Sequence, residues 1–356
     1  MDIAGIKNIL FLTHPESDYG GAFLYNGLCQ YYGADAVFDF PIKRSHHGEC
    51  HNYTLPGRDQ GVTGPLPWMS PYVSPWGEYN DAPTRFGIFT EGLDEVVCAK
   101  LRDGFFQLIV LESLRDMAMQ AYKIVAPFIG NTPLVVHDGE DYAGIHPNTP
   151  RAKLILKREV LKNKRTDYAP NVIPFPFSFP TNKMDEIMRH ESGVPYSYDV
   201  TFMAGRTCDT RQEVADCIRE SDLNHHVVLS PDSPRNGVVC RDTGLMPWGQ
   251  YLDLMASSRA AVSVRGFGWD TCRAWEIPAC TMMIRDTLGI EIPDDFQHMQ
   301  NALIANNHHE FVQFARWAKE NEKDAEGLAV NGHAHLMARH TNLQRVSYLL
   351  ERLSGV

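Results

Sequence analysis

The chain has 356 residues, of which 44% are hydrophobic and 22% charged, and its formal net charge is −11. That length suits two domains, each able to bury a core of its own, and the composition excludes a disordered or fibrous chain. The acidic balance argues against a broad electrostatic grip on nucleic acid, which needs clustered Lys and Arg, but leaves room for a local basic pocket.

The first apolar run, Ile9 to Leu12, is too short for the ~7–15-residue core of a signal peptide and reads as a strand. Nothing approaches the ~18 apolar residues of a membrane span. The eight cysteines are scattered with no CxxC pair, so reduced thiols and a cytoplasmic chain are expected.

After the first strand comes the turn-rich HPESDYGG, and then an apolar-periodic helix over Ala22 to Tyr32. Ala36 to Phe40 reads as a second strand. Pro41 to Phe86, rich in Pro, Gly, His and aromatics, has no period and reads as a long insertion, either a lid or a structural one. The rhythm returns with a strand at Leu108 to Leu111, a helix at Asp116 to Phe128 and a strand at Pro133 to Val136. The loop HDGED follows, then the apolar and basic Ala152 to Leu161 and a last strand at Val172 to Phe177.

Phe179 to Tyr198 is polar and Pro-containing and marks a boundary. A second series opens at Tyr198 to Ala204. Its helix is expected near Thr210, where Thr210 and Glu213 have capping-box spacing. Strands are expected at Val227 to Leu229, Ala260 to Val264 and Thr281 to Ile284, with helices from Trp248, at Asp270 to Ala279, Phe311 to Lys319 and Leu336 to Leu353. In the last, Leu343, Val346, Leu350 and Leu353 form one apolar stripe. Strands alternating with helices predict an α/β chain of two Rossmann-like parallel-sheet domains facing a cleft. The expected division is residues 1–185, with the 41–86 insertion, then 196–335, then a terminal helix over 336–356 that packs back on the first domain.

Three constellations carry chemistry. In AAVSVRGFGWDTCRAWEIPACTMMI, Ala260 to Ile284, a strand runs through Arg265, Gly266 and Gly268 into a helix whose N-terminus suits phosphate. Arg265 and Arg273 add charge, and Glu276 is placed to accept hydrogen bonds from ribose hydroxyls. The alternative is that the glycines only make a tight turn. The pattern is not GxGxxG, and no GxxxxGK[ST] occurs. In HPESDYGG, His14 or Asp18 is placed to act as a general base beside Gly20 and Gly21; the alternative is a capped turn. In HDGED, Asp138 and Asp141 stand at a strand end, where a carboxylate can serve as base or hold an acceptor, with Lys157, Arg158 and Glu159 following; the alternative is a loop that caps the next element. His46, His47, Cys50 and His51, and again His333, His335 and His340, cluster in sequence without zinc spacing, so no metal is expected.

The segments Tyr251 to Val264, Gly266 to Cys280 and Asn331 to Leu350 resemble the C-terminal half of GT-B glycosyltransferases, especially the CgeB-like and glycosyltransferase family 1-like proteins. The terminal pattern is carried by Gly332, His340, Thr341 and Arg345. The resemblance covers about a third of the chain. It implies a nucleotide-binding C-terminal domain and an acceptor-binding N-terminal one. Glu276 is then a ribose ligand. Gly266, Gly268, Thr271 and Cys272 cradle the diphosphate, Arg206 is a basic diphosphate ligand, and Gly20 and Gly21 form a Gly-Gly loop. Asp270 departs from the pattern, since an acid at a helix N-cap repels phosphate. The implied activity is metal-independent transfer of a sugar, with a UDP-sugar as donor substrate and no cofactor. A non-catalytic sugar- or nucleotide-binding protein, a nucleotide-sugar epimerase and a transferase acting on nucleic-acid bases are the alternatives. Acceptor and oligomeric state are open.

Overall fold

The computed structural model describes residues 3–14, 18–43, 46–47, 52–53, 62–63, 72–85, 89–181, 195–230 and 248–355. Half of the 41–86 insertion, including Cys50 and His51, lies outside the described residues, as does most of the expected boundary. The chain forms two compact units. Unit 1 comprises Met1–Gly61, Pro65–Pro180 and Asn342–Val356, and unit 2 comprises Val62–Gly64 and Thr181–Thr341.

Unit 1 is built on a parallel sheet of β1 (Ile9–Leu12), β2 (Val37–Phe40), β3 (Leu108–Leu111), β4 (Leu134–Asp138), β5 (Leu154–Lys157) and β6 (Val172–Pro174). The order across the sheet is β6-β5-β4-β3-β1-β2. β1 is the continuous apolar run ILFL, buried at every residue, as a strand covered on both faces must be. Its alternate residues face opposite ways. Ile9 and Phe11 join a core with Leu24, Tyr25 and Leu28 of helix α1 (Tyr19–Tyr32) and Val346 and Leu349 of the terminal helix. Leu10 and Leu12 join the other core with α2 (Leu93–Arg102) and α3 (Asp116–Val125). α2 carried no sequence expectation.

Unit 2 is a second parallel sheet of β7 (Tyr198–Gly205), β8 (His225–Ser230), β9 (Ser258–Ser263), β10 (Met282–Asp286) and β11 (Leu303–Ala305), in the order β8-β7-β9-β10-β11. Helices α4 (Asp209–Arg219), α7 (His308–Glu320) and α8 (Glu322–Arg339) bury Val214, Ile218, Phe311, Ala315 and Leu328 against one face. Helices α5 (Trp248–Ala256) and α6 (Arg273–Cys280) pack against β9 as well. Among the described residues, no helix is long and apolar enough to cross a membrane.

Three local expectations need correction. The Thr210–Glu213 capping box is not the start of α4: the helix begins at Asp209, with Cys208 at the N-cap and no side-chain cap. The helix expected over Leu336 to Leu353 is two. α8 ends at Arg339, and α9 runs from Asn342 to Gly355 and belongs to unit 1. Leu343 is exposed, and Leu349 takes its place in the core beside Val346, Leu350 and Leu353. The break is held by side chains. Asn342 donates its backbone N–H to Phe179 O (3.0 Å) and its amide to Asn26 Oδ1 (3.1 Å), and accepts from Ser178 Oγ (2.7 Å). Arg345 donates to Phe177 O at 3.0 Å. Gly27 of α1 lies so close to α9 that a Cβ there would stand 2.6 Å from Asn342 O.

Candidate active site

In unit 2 the basic groups gather where β7 and β9 end and α6 begins. Arg206 follows β7 and is exposed, its N–H bonded to Ser230 O at 3.1 Å. Arg211, two residues into α4, is buried. Its guanidinium donates to Gly205 O (2.7 Å), Val264 O (3.0 Å) and Arg265 O (2.9 Å), tying together the ends of two neighbouring strands. Burial, and then the charge of Arg273, pull the Arg211 guanidinium down to about 10. Arg273 is the first residue of α6, and its Nε and Nη1 are buried with no hydrogen-bond partner among the described residues. Arg265 lays its guanidinium over the Trp269 ring, 4.4 Å from the centroid.

Glu276 is on the first turn of α6, closer to the helix start than expected, because α6 begins at Arg273 rather than Asp270. It is buried and accepts from the Tyr251 hydroxyl at 3.0 Å. Burial and the Glu276 charge push the Tyr251 phenol well above its usual range, so it stays a donor. Asp286, at the end of β10, accepts the Arg265 backbone N–H at 3.1 Å, and burial raises its carboxyl to about 6.

The glycines form a tight turn, the alternative that the sequence left open. Gly266 and Gly268 are not among the residues with positive φ, and Gly266 N–H closes the turn on Gly268 O at 2.9 Å. A Cβ at Gly266 would stand 3.0 Å from Arg211 Nη2, so the missing side chain makes room for that guanidinium. Thr271 Oγ1 lies 3.1 Å from Ser263 Oγ, and Cys272 is the N-cap of α6. Asp270 therefore is not the N-cap. It is buried and accepts the indole N–H of Trp275 at 2.8 Å, which gives its negative charge a donor inside the protein.

In unit 1, His14 follows β1 and is buried, with both ring nitrogens lacking a hydrogen-bond partner among the described residues. Its Nε2 stands 3.7 Å from Asp18 Oδ2, and its backbone N–H donates to Glu112 Oε2 at 3.0 Å. Asp18 is the N-cap of α1 and accepts from Gly21 N at 3.0 Å. Burial alone would raise its carboxyl, but His14, His137, Arg115 and the Gly21 amide hold it well below the usual carboxylate range. His14 lines a cavity of about 490 Å³ with Arg115, Asp116, Glu140, Tyr142 and His146.

Gly20 and Gly21 are not a loop but the first turn of α1. A Cβ on Gly20 would stand 2.5 Å from His137 Cε1, and one on Gly21 would collide with the Glu112 side chain. Asp138 is fully buried and bonded to Lys157 Nζ at 2.9 Å, and Arg158 pairs with Asp141. Burial lowers the Lys157 ammonium despite that pairing.

The expected histidine groupings also shift. His46 stacks on Tyr25 at 4.0 Å, and His47 Nε2 bonds Asp39 Oδ2 at 2.9 Å. His335 and His340 meet at 3.2 Å between their Nε2 atoms and both reach Asp294 O, because α8 ends before His340. Gly332 packs against a neighbouring backbone, its Cβ position 2.7 Å from Asn301 O. Gly332, His340 and Arg345 of the terminal motif thus hold helices in place.

Residues 210–351 match a family model described as glycosyl transferase-like. The solved structure of HepE from Anabaena with UDP and glucose aligns over 99% of this chain and 100% of its own, at TM-score 0.58 and 14% identity. Sucrose-phosphate synthase from Thermosynechococcus elongatus aligns over 98% and 99%, at 0.59 and 10% identity. A glycosyltransferase from Rickettsia africae aligns over 99% and 98%, at 0.58 and 8% identity. No curated protein sequence matches the chain. The chain has the GT-B glycosyltransferase fold. In this GT-B chain the matched segment runs from the first turn of α4 into α9, so it takes in Arg211, Arg265, Arg273 and Glu276. Arg211, Tyr251 and Asp286 were not singled out from sequence. The one available signal for Arg211 was the small residue at Gly266, which faces it.

Proposed function

We propose that the chain is a glycosyltransferase that moves a sugar from a nucleoside-diphosphate donor to an acceptor hydroxyl, with no metal taking part in the transfer. The observation that carries this reading is the half-buried Arg273 at the start of α6, with its buried Nε and Nη1 free of hydrogen bonds among the described residues and Glu276 one turn away. A diphosphate supplies the acceptors Arg273 lacks, and Arg265, Arg206 and the α6 N-terminus add positive potential. Glu276, oriented by Tyr251, takes the ribose hydroxyls. UDP is the preferred nucleotide, in line with the UDP and UDP-glucose complexes of HepE.

In the reaction the acceptor oxygen bonds to the anomeric carbon while the bond from that carbon to the diphosphate oxygen breaks. Negative charge grows on the leaving diphosphate, where fixed arginines stabilise it. His14 receives the acceptor proton, and Asp18, held ionised, stabilises the resulting imidazolium. Asp138, already committed to Lys157, is the weaker base.

A thermal-shift panel of nucleoside diphosphates and their sugars tests the donor. UDP and a UDP-sugar are expected to raise the melting temperature more than ADP or GDP do. A chain that no nucleoside diphosphate stabilises contradicts the proposal, and release of an epimerised nucleotide sugar without acceptor makes the chain an epimerase.

A further inference from the structure

A second constellation in unit 2 joins α4 to the first turn of α7. Cys217 of α4 and His308 and His309 of α7 bring one ligand atom each within 4.8 Å of the others. Cys217 Sγ is 3.8 Å from His309 Nδ1, and the Nε2 atoms of His308 and His309 are 3.1 Å apart. Glu213, one turn before Cys217 on α4, places Oε2 3.7 Å from His308 Nδ1. Donors around a tetrahedral zinc lie about 3.3–3.8 Å apart, given bonds of ~2.0–2.3 Å. The three groups can present one atom each within 4.8 Å, so small side-chain rotations bring them to that spacing.

The scaffold beneath the cluster is firm. Val214, Ala215 and Ile218 of α4 and Phe311, Val312 and Ala315 of α7 pack into one core. Asn307 caps α7 by accepting from the N–H groups of His309 and Glu310, which fixes the turn that carries both imidazoles. Cys217, His308 and Glu213 are partly or well exposed, so an ion has access.

We propose that Cys217, His308 and His309 form a zinc site that ties α4 to α7, with the Glu213 carboxylate beside it. A thiolate with two imidazoles selects zinc over magnesium or calcium, which take oxygen ligands. Cys–SH and Zn²⁺ give Cys–S–Zn⁺ and a proton that passes to buffer, while the sulfur and imidazoles displace water from the ion. Glu213, Asp216 and Glu220 surround Cys217 with negative charge that attracts the cation.

The test titrates Co²⁺ and then Zn²⁺ into the reduced, chelator-treated full chain. One equivalent of Co²⁺ is expected to give a thiolate-to-cobalt charge-transfer band and intense four-coordinate visible bands, and one equivalent of Zn²⁺ to abolish them with release of a proton. Cys217→Ser should lose the charge-transfer band, and His309→Asn should weaken Zn²⁺ at least tenfold. His335→Asn, at the other histidine pair, should retain both signals. His309 is exposed, so the His309→Asn chain should melt like the parent in chelator and lose only the zinc-induced rise. No charge-transfer band, a band that survives in Cys217→Ser, or an equal zinc-induced rise in His309→Asn overturns the site.

Discussion

Tyr251 of α5 gives its hydroxyl hydrogen to Glu276 of α6 at 3.0 Å, so the carboxylate proposed to hold the ribose has its direction set from a neighbouring helix. The pair separates binding from positioning. Glu276→Ala removes the acceptor and should weaken UDP about 10–100-fold, the range for a hydrogen bond to a charged group. Tyr251→Phe leaves the carboxylate but not its direction, and should weaken UDP by about 3–10-fold. Calorimetric titration with UDP measures both.

His14 stands in the other unit and should respond differently. His14→Asn is expected to lower kcat by about 10²–10⁴, the usual range for a lost general base, while the Kd for UDP stays unchanged. A single-turnover assay beside a UDP titration reads the two separately. A matching loss of UDP affinity would remove His14 from the proton-transfer role.

Asp286 sets a pH dependence of stability. Its carboxyl is raised from 3.8 to about 6 by burial. The folded chain therefore holds more protons than the unfolded chain between about pH 4 and 6, and stability falls as pH rises across that window. Asp286→Asn should remove this contribution and gain up to about 3 kcal/mol at pH 7 relative to the parent, with little change at pH 3.5. Urea unfolding at both pH values checks the sign.

Arg211 is predicted to be structural. Arg211→Met leaves three strand-end carbonyls without their donor and should destabilise unit 2 by about 2–4 kcal/mol, with a smaller effect from Gly266→Ala. Denaturant midpoints give the comparison. At the other end of the chain, Gly27→Ala drives a methyl against the Asn342 carbonyl and should cost about 1–3 kcal/mol, read in the same way.

The βα order of both units was legible, because strands such as ILFL and AAVSV are apolar runs bounded by turns. The break between α8 and α9 was not. It depends on Asn342 finding Phe179, Ser178 and Asn26, all distant in sequence. The glycines were visible as glycines, but not their purpose. Gly266 faces Arg211 and Gly20 faces His137, which are contacts made only by the folded chain. Asp270 conflicted with a phosphate site because its local position suggested a cap, whereas its partner is the Trp275 indole five residues on. The Cys217–His308–His309 group joins residues about ninety positions apart, so no spacing rule reaches it.

The donor site in unit 2 is tested most directly by UDP binding to Arg273→Gln beside the parent chain, with circular dichroism to confirm that both are folded. Saturable binding by the parent and a loss of at least tenfold in Arg273→Gln is the predicted result. Equal UDP affinity in the two folded chains, or no binding by the parent, would contradict it.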